Sequence, residues 1–195
     1  VIPYFKNFIR LIPNLEKLAK VNNQKLMKCW QGLGYYSRAR NLKKTSQIII
    51  KNYGGEIPNN FDDLKALPGI GNYTASAILA IAFNEPYIPL DGNIERVLKR
   101  YLYLKQESEI KKENLLRKKS IFGMSNRSSD YAQALMEIGA LICKPLNPLC
   151  NKCPIKKKCK SFKKQDFVLT KKNKKSIEKY FILKVYKKDQ KYLLI

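Results

Sequence analysis

The sequence predicts an all-α fold, and three observations carry that reading. Up to about residue 142, apolar side chains recur at helical intervals, in segments near 4–11, 23–30, 38–51, 74–83, 93–103, 110–119 and 130–142. Glycine and proline separate these segments, at Pro13, Gly32, Gly34, Gly54, Gly55, Pro58, Pro68, Gly69, Pro86, Pro89 and Gly92. No interval in this stretch keeps the period of two expected of a half-buried strand.

The elements follow in order. The chain opens in an apolar segment, Val1-Ile2-Pro3-Tyr4-Phe5, with no cap and no start Met. Asn22 is placed to cap the segment at 23–30, Asp91 the one at 93–103 and Ser129 the one at 130–142. A helical stretch at 62–67 runs into Pro68-Gly69-Ile70-Gly71, and a new helix starts near Tyr73. A cysteine-bearing loop covers 143–159, and a polar, basic linker covers 161–179. Residues 180–186 are then β-rich, 187–191 read as a turn and 192–195 as a second strand. Two strands alone are marginal, so this pair reads as the opening of a further domain. The expected division is a helical core at 1–102, a helical cysteine-bearing domain at 103–160, the linker, and a truncated β-containing domain from 180 to 195. Both ends read as cut, which suggests a piece of a longer protein.

Charge narrows the partners. There are 39 Lys and Arg against 15 Asp and Glu, a formal net charge of +24. Such a charge repels itself, and a polyanion such as nucleic acid relieves the repulsion. The abundant Lys, Asn and Ile also fit a biased base composition, which is the competing source of the charge. No run reaches the roughly 18 apolar residues that span a bilayer; the longest apolar stretch, 75–83, reads as a core helix. No signal peptide is evident. The expected setting is intracellular, in cytoplasm or nucleoid, and without a membrane. His is absent, which removes many hydrolase and zinc designs.

Three groups of residues carry candidate chemistry. In Leu67-Pro68-Gly69-Ile70-Gly71 the glycines allow a tight turn and close backbone approach. N–H groups at the following helix start can meet a phosphate; a plain helix–turn–helix connection is the competing reading. Asp91 sits just before a helix, where it can act simply as the N-cap. The helix dipole there favours the anion, and a carboxylate facing a cleft can offset a cationic sugar. Cys143, Cys150, Cys153 and Cys159 follow the spacing C-x6-C-x2-C-x5-C. In a reducing compartment this argues for metal rather than disulfides, and the spacing alone leaves Zn²⁺ and a [4Fe–4S] cluster both open. Cys29, in an apolar helix, reads as a core thiol.

Read together, these motifs resemble the endonuclease III-like superfamily of DNA glycosylases. The stretch 67–79 resembles its helix–hairpin–helix element, placed here near 62–80. The segment Gly32-Leu33-Gly34-Tyr35-Tyr36-Ser37-Arg38-Ala39-Arg40-Asn41-Leu42 resembles a signature of the adenine-specific, iron–sulfur branch. The resemblance implies a helix–hairpin–helix glycosylase core with a C-terminal cluster loop. It implies that Leu67, Gly69, Ile70 and Gly71 hold a DNA phosphate, with help from a monovalent cation bound by backbone carbonyls. It implies that Gly34, Tyr35, Tyr36, Arg38 and Arg40 lie against the lesion and its opposite base. Asp91 becomes the catalytic carboxylate, with Asn93 contacting the active site.

Tyr73 stands where the bifunctional relatives carry a Lys nucleophile. A phenol forms no Schiff base, so water is the expected nucleophile. In the branch, the same position contacts the catalytic carboxylates. The cysteine spacing matches the branch's cluster loop, which implies [4Fe–4S] at Cys143, Cys150, Cys153 and Cys159, in a structural role. The implied partner is double-stranded DNA bearing adenine opposite 8-oxoguanine or guanine, bound by a monomer. The branch also uses a Glu from a segment that would lie upstream of Val1, so residues 1–195 alone are expected to have little or no turnover. The competing functions are an endonuclease III-like glycosylase of other specificity and a non-catalytic DNA-binding module.

Overall fold

Helix α1 (Ile2–Leu11) begins before the expected start, because Pro3 sits in the first turn, where its missing N–H costs nothing. The computed structural model describes residues 2–104, 126–167, 185–188 and 191–194. Phe8 of α1 meets Trp30 edge-on, with centroids 5.9 Å apart. A short helix that periodicity did not predict, α2 (Leu15–Lys20), follows Pro13; Asn14 caps it through Lys17 N at 2.9 Å. Six residues are too few to show a helical period. Asn22 caps α3 (Asn23–Trp30) as expected, through Gln24 N at 2.7 Å.

Helix α4 (Tyr36–Tyr53) outruns its predicted span at both ends and stops at Gly54, which is left-handed with φ 62°. It is the longest described helix and borders two of three apolar clusters. One cluster joins Ile12, Leu18, Leu26 and the buried thiol of Cys29 to Ala39. A second joins Ile49 to Leu64, Leu67, Ala75 and Leu79, on α5 (Phe61–Ala66), the turn after it and α6 (Asn72–Ala82). The third gathers Ile94, Val97 and Leu98 of α7 (Gly92–Leu102) with Leu135 of α8 (Ser128–Glu137) and Ile138.

Three expectations are corrected in the C-terminal part. Ser129 is not an N-cap: it lies inside α8, whose N-cap, Arg127, makes no side-chain cap. Asn84 of a neighbouring turn instead accepts from Ser129 N at 3.0 Å, a long-range contact that local sequence cannot reveal. The segment 130–142 is not one helix, because α8 gives way to a π turn at Ile138–Ile142. The linker begins with a short helix, α9 (Lys160–Lys164), anchored beside α7 by a hydrogen bond from Tyr103 Oη to Asp166 Oδ2 at 2.7 Å.

The described fold is therefore all-α through residue 167, with α5, its turn and α6 forming a helix–hairpin–helix. Beyond it, β1 (Val185–Lys188) and β2 (Lys191–Leu194) pair antiparallel, Lys188 opposite Lys191. The expected turn at 187–191 was too long, because backbone pairing runs through lysines that composition alone assigns to a turn. The helix expected at 110–119 lies outside the described residues, as does the linker beyond 167. No described helix is long and apolar enough to cross a membrane.

Candidate nucleic-acid interface and cysteine cavity

The hairpin is built from its ends inward. Asn60 caps α5 through Asp63 N at 2.9 Å. Leu67, buried at the end of α5, accepts from Ile70 N at 3.1 Å and so closes the turn. Gly69 has φ +79°, and a Cβ on it would come within 2.9 Å of Asn41 Nδ2 and Cβ. Both facts demand glycine there. Thr45 Oγ1 donates to Pro68 O at 3.0 Å, tying the turn to α4. Gly71 is exposed, and a Cβ on it would meet nothing within 4 Å. No side chain caps α6, so N–H groups of its first turn remain available to an anion. Tyr73 stands exposed in that turn.

The loop between α3 and α4 leads into the N-terminus of the same long helix, α4. Gly32, Gly34 and Tyr35 all have positive φ, Tyr35 at 47°. Trp30 Nε1 donates to Gly34 O at 3.1 Å. Arg38 lies over both Trp30 and Tyr35, 5.7 and 5.5 Å from their ring centroids. The tyrosines are not both half-buried, as a plain helix start would have them. Tyr35, on left-handed backbone, is 81% exposed, and Tyr36 is 40% exposed. Arg40 is also exposed. Helix α4 thus carries Tyr36, Arg38 and Arg40 in its first turns and supports the hairpin through Asn41 and Thr45.

Asp91 is the N-cap of α7. Its Oδ1 accepts from Ile94 N at 2.7 Å and its Oδ2 from Asn93 Nδ2 at 3.2 Å. Asn93 is itself held: Arg96 Nη2 donates to Asn93 Oδ1 at 3.0 Å and to Gly139 O at 2.6 Å, while Arg96 Nε donates to Cys143 O at 2.7 Å. Gly139 of the π turn presses on Asn93, for a Cβ there would lie 2.9 Å from Asn93 Cβ.

All four motif cysteines line one cavity with Arg100, Ile138 and other mainly apolar neighbours. Its volume of about 30 Å³ exceeds the roughly 10–15 Å³ that one water needs. All four are free thiols. Among the described residues no three His, Cys, Asp or Glu converge tightly enough for a single metal ion. Burial pushes the Cys150 thiol up, and the charges of Cys143, Cys153 and Cys159 add to this, while Arg100 opposes it. Burial also raises Cys153.

Arg96, Arg100, Asn41, Thr45 and Gly139 were not assigned roles from sequence. The one legible signal was the four-residue spacing of Arg96 and Arg100 on a helix that otherwise buries its apolar face.

Comparison with known proteins fits this geometry. The model of the HhH-GPD superfamily base excision DNA repair proteins matches residues 1–120. The adenine DNA glycosylase of Buchnera aphidicola subsp. Baizongia pistaciae is 39% identical over 198 residues, covering 99% of this chain and 56% of the relative. The human adenine DNA glycosylase is 34% identical over 168 residues, covering 83% of this chain and 30% of the relative. The chain thus spans about half the length of the bacterial relatives, 56% and 53% for two of them. Among solved structures, a thermostable thymine-DNA glycosylase superposes with a TM-score of 0.66 at 28% identity, over 83% of this chain and 76% of that one. A non-covalent endonuclease III–DNA complex gives 0.65 at 27%, over 84% and 76%.

Proposed function

Because the chain belongs to the HhH-GPD superfamily of base excision DNA repair proteins, we propose that it forms the core of a monofunctional adenine DNA glycosylase. The substrate is double-stranded DNA with adenine opposite 8-oxoguanine or guanine; the names of the adenine glycosylase relatives support the excised base, and the Gly-Leu-Gly-Tyr-Tyr loop resembles the branch whose target is that mispair. Residues Leu67, Gly69, Ile70 and Gly71 grip a phosphate through backbone N–H groups, and the turn carbonyls suit a monovalent cation. Gly34, Tyr35, Tyr36, Arg38 and Arg40 face the lesion, which must leave the stack for base chemistry.

As the glycosidic bond ionises, the sugar becomes cationic. Asp91 supplies the countercharge, Asn93 steadies its second oxygen, and Tyr73 lines the site without forming an adduct. Water completes the hydrolysis. The observation that carries this reading is the Asp91 carboxylate, held by two N–H donors at the head of α7.

The four cysteines fit a [4Fe–4S] cluster better than zinc. Their spacing resembles the branch's cluster loop, and all four line one cavity with Arg100, a buried cation with no carboxylate ion pair among the described residues. When bound, the group would pin the basic loop carrying Lys152, Lys156, Lys157, Lys158 and Lys160. Cys143, Cys150, Cys153 and Cys159 would hold it.

The decisive experiment is Asp91→Asn in the complete gene product, with single-turnover cleavage and binding measured on an 8-oxoguanine:adenine duplex. Turnover should fall by about 10²–10³-fold while lesion affinity stays nearly constant. Unchanged turnover would refute the assignment. The endonuclease III-like structures favour a second reading, a lyase; a borohydride-trapped covalent adduct would establish it in place of the hydrolase.

A further inference from the structure

Arg100 is 4% exposed. Its Nη1 donates to Lys144 O at 2.6 Å and its Nη2 to Pro145 O at 2.8 Å. Nη1 also lies 3.5 Å from Cys143 Sγ, and the guanidinium sits 5.9 Å from the Phe167 ring centroid. Nε is buried without a hydrogen-bond partner among the described residues. Among those residues, too, no carboxylate forms an ion pair with Arg100. A buried guanidinium surrounded by neutral acceptors is expensive, because desolvation of the charge is left uncompensated. Four thiols line the same cavity, and they ionise more readily than its one phenol, Tyr101.

We propose that Arg100 is the built-in countercharge of the cysteine-held centre, its Nε–H and Nη1–H reserved for sulfur. This rests on the cluster reading above. An iron–sulfur cubane held by four thiolates carries net negative charge, so the buried guanidinium and the loaded centre each offset part of the other's charge. The neighbouring residues support this division of labour. Lys144 and Pro145 engage Arg100 through backbone carbonyls alone, which fixes the guanidinium in place and leaves Nη1 within reach of Cys143 Sγ and Nε without a partner among the described residues.

The test compares wild type, Arg100→Lys and Arg100→Gln, each loaded anaerobically with ferrous iron and sulfide. Iron content, the rate of iron loss to a chelator and the midpoint potential are measured. Lysine keeps the charge, and glutamine keeps a donor for the carbonyls without it. Wild type should hold about four irons. Arg100→Gln should lose iron about 10–100-fold faster and show a lower potential, because removing a positive charge favours the oxidised centre. Arg100→Lys should stay near wild type in both. If glutamine matches wild type, or lysine falls with glutamine, charge is not the operative property and the proposal is wrong while the cluster reading stands. If wild type itself takes up no iron, the cluster reading fails and the proposal with it.

Discussion

Replacing Gly139 by alanine tests whether the π turn presses on the first turn of α7. In an ordinary helical setting this change stabilises by about 0.5–1 kcal/mol, because alanine has less backbone entropy to lose. Gly139 is not an ordinary setting. The new methyl would lie 2.9 Å from Asn93 Cβ and 3.2 Å from the Asn93 carbonyl carbon and oxygen. Two of those atoms are backbone and cannot swing away. Relief requires the π turn and α7 to part, which strains the bond from Arg96 Nη2 to Gly139 O at 2.6 Å. Overpacking by a methyl costs about 1–3 kcal/mol. Set against the propensity gain, the net is roughly 0–2.5 kcal/mol of destabilisation.

Gly92→Ala is the control. Gly92 opens the same helix, and a Cβ there meets nothing within 4 Å, so the change should stay within about 0.5 kcal/mol. Urea unfolding followed by circular dichroism, fitted with a common slope, reads the difference. An alanine at 139 that raises stability above wild type would refute the packing argument.

Other expectations follow from the same geometry. Tyr35→Gly should raise stability slightly, because relief of a left-handed tyrosine, about 1–2 kcal/mol, exceeds the exposed cation–π contact it loses, about 0.5–1 kcal/mol. The same variant should bind lesion duplex more weakly in a fluorescence-anisotropy titration; weaker folding with unchanged binding would contradict both parts. The metal-free chain should lose stability as pH rises through the usual thiol range of about 8–9. The sign follows from the raised Cys150 and Cys153 thiols: the unfolded chain releases those protons first, so the native state binds more protons and alkali favours unfolding. Cys150→Ser with Cys153→Ser should flatten that slope in parallel melts across pH.

Much of the helical order was legible because the apolar period and the caps are local. Asn22 and Asp91 cap the helices that the pattern assigned to them, since an N-cap bond reaches only two or three residues. Ser129 failed for the complementary reason: the acceptor for its N–H comes from Asn84, forty-five residues away. The hairpin was legible through Gly69, whose positive φ leaves few alternatives. What seats the hairpin was not, because Asn41 and Thr45 lie on another helix and their roles appear only on packing. Arg100 was hidden in the same way, as one basic residue among 39 until burial separated it from the surface lysines.

Helix α7 is where the two candidate sites meet. Asp91 caps its start and Arg100 lies nine positions on, about 13 Å along the axis at 1.5 Å per residue. Arg96 falls between them and holds the cysteine loop by its backbone, through Gly139 O and Cys143 O. Because the acceptors are main-chain carbonyls, replacing lysines of the loop should leave this joint intact. Changes to Arg96, or to the one position where only glycine fits against Asn93, act on it directly. Anything that repositions the loop backbone must therefore move against Asn93, the side chain that donates to Asp91 Oδ2.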